Sequence, residues 1–297
     1  MNILLITGGL SSERSVSLIS ASEVKKALEK NNHHVQMFDI KNSAKKLSEL
    51  INNCDVVFPV LHGEDGEGGE LQKFLLKSGK PYVGGDPKGL KLGWYKIPFK
   101  EFCDKNNIPT ASWKKIKTIQ DVIDFGLPCV AKSTNGGSSK EVAILKNSID
   151  LKKKIFLNLF KLNQSLYTER FLPGTEITVG ILGDKALPVV EIIPPEGSWF
   201  DFKNKYSGKT KEIVDTPNLS AKIKKQSQEI ALKIHQTLNL GQYSRIDFIV
   251  VNDIPYVLEV NIIPGMTPNS LFPKAALAAG FTFPKLIQKL VELSLHK

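Results

Sequence analysis

The 297-residue sequence is short of several things at once: it has 3 cysteines, 3 tryptophans and 3 methionines, and aromatic residues make up 8% of it. Cys54, Cys103 and Cys129 stand singly, with no C-x-x-C pair and no histidine at metal-ligand spacing. That excludes a disulfide-stapled scaffold and a zinc site, and it suits a reducing cytoplasm. Long hydrophobic runs are also missing. The apolar stretch Ile3-Leu4-Leu5-Ile6 stops at Gly8-Gly9 with no basic segment ahead of it, and nowhere do about 18 apolar residues follow one another. Neither an export signal nor a membrane span is expected. What is present is ordinary for a globular protein, with 41% hydrophobic and 24% charged residues, at a length that suits roughly two or three domains. The 40 Lys+Arg against 30 Asp+Glu leave a formal charge of +10. Such an excess serves nucleic acid, an anionic surface or a solubilising lysine coat. The lysines are spread along every region without an aromatic-interleaved basic motif, so no nucleic-acid partner and no membrane partner is expected.

Hydrophobic periodicity places the elements. Asn2 to Thr7 reads as a buried strand, Gly8-Gly9 as a turn, and Ser15 to Lys30 as a helix with Val16, Ile19, Val24, Ala27 and Leu28 on its apolar side. A strand at His34 to Ile40, a helix at Ala44 to Asn52, a strand at Asp55 to Leu61 and a helix at Glu70 to Lys77 continue the alternation. This rhythm predicts an α/β unit with a parallel sheet. Ligands of such sheets meet the loops after the strands, here Gly8 to Glu13 and His62 to Gly69. Turn formers at Gly84-Gly85-Asp86-Pro87 mark a boundary. Beyond it come a helix near Lys96 to Asn106, a strand ending in Cys129-Val130-Ala131-Lys132 and a lysine-rich helix after Ser148. Strands follow at Glu176 to Leu182, Leu187 to Ile193, Ser244 to Val251 and Tyr256 to Asn261, with a helix near Phe283 to Leu293.

The stretch from Arg245 to Asn261 carries the most chemistry. Residues two apart on a strand share a face, so Arg245 goes with Asp247 and Glu259 with Asn261, while Ile246, Phe248, Val250, Tyr256, Leu258 and Val260 are expected on the core side. For Asp247 to lie across from Glu259 the register must have an even sum, such as Val251 opposite Pro255, which predicts a hairpin loop with an odd number of residues. Two carboxylates and an amide oxygen on one face are hard ligands of the kind Mg²⁺ takes alongside phosphates. An amphipathic hairpin with a solvated polar face fits the same pattern. Lys132 followed by Gly136-Gly137-Ser138-Ser139 suits an anion-binding loop, although the Walker spacing is absent and a Gly/Ser linker looks alike. Gly8-Gly9 lacks the G-x-G-x-x-G fingerprint, which disfavours a dinucleotide; the Glu13 carboxylate would suit an ammonium. His62 ends a strand at the ligand edge of the sheet, where it is either structural or in contact with substrate. The polar and aromatic run from Phe200 to Gly208 fits a closing loop or a plain surface loop. Glu169 and Glu176 bracket Phe171-Leu172-Pro173-Gly174, either as surface acids or as the ends of a nucleoside slot.

Taken together, Gly8-Gly9-x-Ser-Ser-Glu13-x-x-Val16-Ser17, Leu61-His62-Gly63, Lys132 with Gly137-Ser138-Ser139, Glu169 through Leu172 with Gly174-x-Glu176, Lys205-Tyr206, Arg245-Ile-Asp247 and Glu259-x-Asn261-x-x-Pro264-Gly265-Met266-Thr267-x-x-Ser270-Leu271 follow one order and spacing. In these the chain resembles the D-alanine-D-alanine ligases of the ATP-grasp superfamily over essentially its whole length. The resemblance implies an ATP-grasp fold, α/β with α+β character in its C-terminal parts. Its domains would be an N-terminal Rossmann-like parallel-sheet domain at 1–86, a central ATP-grasp subdomain at 87–167 and a C-terminal catalytic subdomain at 168–297. It implies ATP- and Mg²⁺-dependent joining of two D-alanines through an acyl phosphate, for peptidoglycan precursors, in the cytoplasm. By matching positions, Lys96, Lys132 and Lys205 would serve the ATP phosphates, Glu169, Phe171 and Leu172 the adenine, and Glu176 the ribose. Asp247, Glu259 and Asn261 would hold two Mg²⁺, with Mn²⁺ as an admissible substitute. Glu13 would meet the ammonium of the first D-alanine and His62 its carboxylate, while Ser270 and Leu271 would take the carboxylate of the second. Arg245 and the Gly265 N–H would stabilise the tetrahedral oxyanion, and Glu13, Ser138 and Tyr206 would be joined by hydrogen bonds over the site. The family commonly forms dimers, so a homodimer is compatible, though no interface pattern specifies one. Departures fall at Ser133 for the usual Pro, Lys140-Glu141 for Val-Gly, Gly68 for an acid, Tyr95 for Asp, and Ile262-Ile263 for a commonly hydroxyl-bearing pair. Tyr206, where relatives accepting D-lactate carry Phe, favours an amine acceptor.

Overall fold

A computed structural model describes residues 1–41, 44–136, 141–162, 164–196, 199, 204 and 209–296. The N-terminal part runs β1 (Asn2–Thr7), α1 (Arg14–Lys30), β2 (His34–Asp39), α2 (Ala44–Asn52), β3 (Val56–Pro59), α3 (Glu64–Glu67) and α4 (Glu70–Ser78). Its three strands form a parallel sheet in the order β2-β1-β3, and a parallel bridge from Val57 to Tyr82 extends it. The α/β expectation is met: β1 is buried on both faces from Ile3 onward, as a central parallel strand must be. α1 buries Ser17, Ser20, Ala21, Val24, Ala27 and Leu28, a stripe at helical spacing. Gly66 is forced by packing, because a Cβ there would lie 1.8 Å from the Leu61 carbonyl oxygen.

The chain then makes α5 (Pro87–Trp94) and α6 (Lys96–Lys105). Asp86 caps α5 by accepting from the Lys88 and Gly89 amides, with Pro87 in the first turn. Next come β4 (Trp113–Ile116), α7 (Ile119–Phe125), β5 (Cys129–Ser133), β6 (Val142–Leu145), α8 (Lys154–Leu159) and β7 (Leu166–Arg170). Their strands form an antiparallel sheet in the order β4-β7-β5-β6, closed over its own hydrophobic cluster around Phe156 and Leu145. The lysine-rich helix expected after Ser148 is divided into a 3₁₀ turn at Ser148–Lys152 and the short α8. The last part contains β8 (Thr175–Leu182), β9 (Lys185–Ala186), β10 (Val190–Ile193), β11 (Lys211–Val214), α9 (Ala221–Thr237), β12 (Tyr243–Val251), β13 (Ile254–Asn261), α10 (Leu271–Ala278) and α11 (Phe283–Ser294). Its sheet is ordered β11-β10-β8-β12-β13, with β9 pairing β8. The largest core cluster joins Ile3, Leu5 and Val24 to Ile246, Phe248 and Leu290, so the first and last parts share one interior. α11 lies on α1, where the Asn31 side chain donates to the Pro284 carbonyl at 2.8 Å.

The β12–β13 hairpin corrects the sequence reading. Asp247 does pair with Glu259 and Arg245 with Asn261, but the turn is even, with Val251 opposite Ile254. Asn252 and Asp253 both take positive φ, 49° and 62°, as a tight two-residue hairpin turn demands. A bulge between Asp247/Phe248 and Glu259/Val257 restores the even-sum pairing, because Leu258 is the extra residue. The bulge also exchanges faces: Pro255 and Val257 take the buried side that had been assigned to Tyr256 and Leu258. The run from Phe200 to Gly208, Asn204 excepted, lies outside the described residues.

Candidate active site

Two cavities adjoin at the C-terminal sheet. The more apolar one, about 500 Å³, opens between the two antiparallel sheets. Val130, Ile144, Phe171, Leu172, Ile249 and Leu258 give it apolar walls, and Lys96, Lys132, Glu169, Glu176, Asp247 and Glu259 line it with charge. Ile249 reaches it on the strand face of Asp247, and Leu258 because the bulge turns it away from the core. Glu169, near the C-terminal end of β7, is flanked by two ammonium groups: Lys132 Nζ lies 2.5 Å from its Oε1 and Lys100 Nζ 2.5 Å from its Oε2. Burial alone would raise the Glu169 carboxyl, but the two lysines override it and hold it down at about 2. For Lys132 burial works to lower its pKa, yet the charge and hydrogen bond of Glu169, together with the Glu259 and Glu176 charges, outweigh it and its pKa is raised.

The second cavity, about 530 Å³, is bounded by Glu13, His62, Glu67, Arg245, Asn261, Gly265, Ser270 and Leu271, with Lys96 and Glu259 shared between the two. Those shared side chains face one another, Lys96 Nζ to Glu259 Oε2 at 3.8 Å, and Lys96 also donates to the Gly136 carbonyl at 2.7 Å. Arg245 is buried and oriented by Asp247, donating from Nε and Nη2 at 3.0 Å each. Burial would lower the Arg245 pKa, but Asp247 raises it above the ordinary value. Asp247 also accepts from Thr178 Oγ1 at 2.5 Å and Asn261 Nδ2 at 2.8 Å. The Asn261 nitrogen is thereby committed, leaving its carbonyl oxygen as the available donor to a cation.

The loops of the parallel sheet supply the other wall. Ser11 Oγ donates to the His62 carbonyl at 2.9 Å, and the His62 N–H donates to Ser17 Oγ at 2.9 Å, fixing the loop that carries Glu13 against the loop that carries His62. Burial lowers the His62 pKa, so the ring is neutral at neutral pH, and its Nε2 is buried without a hydrogen-bond partner among the described residues. Glu67 accepts from the Gly63 N–H at 2.8 Å and from the Ile263 N–H at 3.4 Å, tying this loop to the segment that holds Gly265. Burial, aided by the Glu13 charge, pushes Glu67 up to about 8. Ser270 precedes α10 and makes no side-chain cap to it, since its hydroxyl instead accepts from the Thr267 N–H at 3.2 Å. The first-turn amides at Leu271 are therefore left for an anion.

Of the site residues expected from sequence, Glu169, Phe171, Leu172, Glu176, Lys132 and Asp247 line the first cavity, Glu13, His62, Arg245, Asn261, Gly265, Ser270 and Leu271 the second, and Lys96 and Glu259 both. Ser138, Lys205 and Tyr206 lie outside the described residues. The sequence reading missed Glu67, Lys100, Thr178 and the Lys274–Glu212 ion pair of 2.6 Å at the second cavity.

A family model described as the D-ala D-ala ligase C-terminus matches residues 92–292, and one described as the D-ala D-ala ligase N-terminus matches 41–85. The D-alanine–D-alanine ligase of Maridesulfovibrio salexigens is 36% identical over 304 residues, covering 100% of this chain and 99% of that protein. The enzyme of the same name from Nitratidesulfovibrio vulgaris is 38% identical over 301 residues, covering 99% of this chain and 98% of its own. Among solved structures, the D-alanine–D-alanine ligase from Bacillus anthracis complexed with ATP superposes with a TM-score of 0.86 at 30% identity, covering 100% of this chain and 98% of that one. The expected ATP-grasp fold with its N-terminal parallel sheet is thus the fold found. With similarity extending along both matched segments and the whole length of its relatives, the chain belongs to the D-alanine–D-alanine ligase family.

Proposed function

We propose that the protein joins two D-alanines into D-alanyl-D-alanine for peptidoglycan precursors, spending ATP through an acyl-phosphate intermediate. The observation that carries this reading is that the two cavities share the wall made by Lys96 and Glu259. A nucleotide in the first cavity and two amino acids in the second would bring a γ-phosphoryl group and a carboxylate together there. The apolar walls and the segment Glu169 to Leu172 would take adenine, Glu176 the ribose, and Lys96 and Lys132 the phosphates. Mg²⁺ or Mn²⁺, two ions in this reading, would neutralise the phosphates when bound. Asp247, Glu259 and Asn261 suit them as two carboxylates and one amide oxygen; among the described residues no cluster of three or more His, Cys, Asp or Glu competes for the role.

In the second cavity Glu13 would hold the ammonium of the first D-alanine and His62 would lie near its carboxylate. That carboxylate attacks the γ-phosphorus and ADP departs, a step governed by positioning and charge. The amine of the second D-alanine, its carboxylate on Ser270 and the Leu271 amide, then attacks the acyl carbon. Arg245, pre-oriented by Asp247, and the Gly265 N–H would stabilise the oxyanion before phosphate leaves. Ser138, Lys205 and Tyr206 join this scheme on their sequence match. A three-part division at 1–86, 87–167 and 168–297 goes with it; three separate sheets support three parts, but β7 belongs wholly to the central sheet, which moves the second boundary past Arg170. So does a homodimer working in the cytoplasm; among the described residues no helix is long and apolar enough to cross a membrane.

The test compares D-alanine, L-alanine, glycine and D-lactate as substrates with ATP and Mg²⁺, measuring phosphate release and product together. Turnover with D-alanine alone is expected. Its absence would overturn the reading, and a product formed only when D-lactate is added would make the protein a depsipeptide ligase.

A further inference from the structure

Lys100 takes no part in either cavity, yet it is 1% exposed, and a lysine buried to that degree is rare unless a partner requires it. It stands one helical turn after Lys96, so α6 delivers one lysine to the shared wall and a second one behind it. Lys100 Nζ lies 2.5 Å from Glu169 Oε2 and donates to Thr110 Oγ1 at 2.5 Å. Thr110 in turn donates to the Val257 carbonyl at 2.8 Å, and the Val257 N–H donates to the Pro109 carbonyl at 2.8 Å. The ammonium is thus braced against β13, two residues from Glu259.

Resting on the nucleotide reading above, we propose that Lys100 is a positioning residue whose standing charge on Glu169 frees Lys132 to serve the nucleotide phosphates. Lys132 sits on Glu169 Oε1 at 2.5 Å, yet it faces the cavity, whereas Lys100 does not. A phosphate that draws Lys132 away removes one of the two cations on a carboxylate that is 2% exposed. With Lys100 in place the remainder is a neutral buried pair. Without it the remainder is a lone carboxylate in a low-dielectric interior, an arrangement far costlier than the pair. Lys132 would then be held to Glu169 and unavailable to phosphate. The triad of two lysines and one glutamate carries one net positive charge, and that surplus is what the nucleotide uses.

The test is competitive binding of ADP and of adenosine to the full-length protein, with the wild-type enzyme shown beforehand to turn over ATP and D-alanine. Adenosine has no phosphate and leaves Lys132 on Glu169. Lys100→Met is expected to weaken ADP binding by about tenfold or more while changing adenosine binding by less than about threefold. A loss shared equally by both ligands would mark Lys100 as merely structural and overturn the proposal. The double variant K100M/E169Q removes cation and anion together and is expected to bring the ADP-to-adenosine ratio back near the wild-type value. It also serves if Lys100→Met alone does not fold. A ratio in the double variant that is depressed about tenfold would show that Lys100 does not act through Glu169, and would equally overturn it. A wild-type enzyme inactive with ATP would instead defeat the nucleotide reading on which the proposal stands.

Discussion

The two cavities differ in how their charges are kept. Around the first, ionised groups are matched: Glu169 lies between Lys100 and Lys132, and Asp247 accepts from Arg245, Thr178 and Asn261. Around the second, Arg245 keeps its charge against Asp247, but the buried His62 and Glu67 are held neutral: His62 has its pKa lowered and Glu67 has its raised to about 8, both with burial as the leading cause. The contrast fits two kinds of ligand. A polyphosphate keeps its charge and is met by a fixed counter-charge. An amino acid that arrives as an ammonium and reacts as an amine changes charge on the way, and neutral buried groups do not oppose that change.

The sharpest way to break the comparison is at the wall both cavities share. Glu259→Gln keeps the volume and removes the carboxylate that faces Lys96 and would hold Mg²⁺. We expect ligase turnover to fall by roughly two orders of magnitude or more, with the melting temperature little changed. Near-native turnover in a folded Glu259→Gln protein would refute the metal assignment. A smaller effect, on stability, is expected from Arg245→Met. Cutting a buried ion pair typically costs about 3–5 kcal/mol, but Thr178 and Asn261 continue to donate to Asp247, so a loss nearer 2–3 kcal/mol is expected in urea unfolding. A change under about 1 kcal/mol would mean that Asp247 is not held ionised by Arg245.

Glu67 sharpens the other side of the comparison through pH. Its carboxyl moves from 4.5 in the unfolded chain to about 8 in the fold. Below 4.5 both states carry the proton and the stabilisation is complete. Between 4.5 and about 8 only the folded state retains it, so stability falls with rising pH through that window. Glu67→Gln removes this titration. Its melting temperature relative to wild type should therefore rise by about 3–5 °C between ~pH 5 and ~pH 8.5. A constant difference across that range would show Glu67 to be ionised in the folded protein. His62 has the opposite sign: its lowered pKa makes stability fall as pH drops below the ordinary histidine value of 6.5.

How much of this was legible depended on whether local pattern or tertiary surroundings decided each residue. β1 at Asn2–Thr7 and α2 at Ala44–Asn52 match the reading residue for residue, because their periodicity is local. The 17-residue α9 was not anticipated. Its lysines and glutamines flank a narrow buried stripe of Ile223, Ser227, Ala231, Ile234 and His235, two members of which are polar. The candidate site emerged mostly through motif resemblance, which reached the charged and polar cavity residues with a proposed contact to substrate or metal but not the apolar wall of Val130, Ile144, Ile249 and Leu258. It did not reach Lys100 or Glu67, because a lysine on an amphipathic helix and a glutamate in an acidic run look like surface residues until the fold buries them. The hairpin shows a subtler limit. Facing was inferred correctly at Asp247 and Glu259, but parity counting cannot distinguish an odd loop from an even loop followed by a bulge.

That bulge yields the smallest prediction, and it separates turn from site. Asn252 and Asp253 both occupy the left-handed region, which glycine adopts without the steric cost an aspartate bears. Asp253→Gly gives the Asn-Gly pair that a two-residue hairpin turn favours most, at the expense of a looser unfolded chain. The two effects nearly cancel, leaving a net stabilisation of about 0.5 kcal/mol. The register between turn and bulge runs from Val251–Ile254 to Phe248–Val257, and the shift to Asp247–Glu259 comes only after Leu258. A change at the turn therefore has no route to the metal-ligand pair except through the bulge, whose extra residue absorbs small adjustments of strand position. Turnover of Asp253→Gly with D-alanine should stay within about twofold of wild type while its unfolding midpoint rises slightly. A marked loss of turnover at unchanged stability would mean that the bulge transmits register, and that the turn helps to set the distance between Asp247 and Glu259.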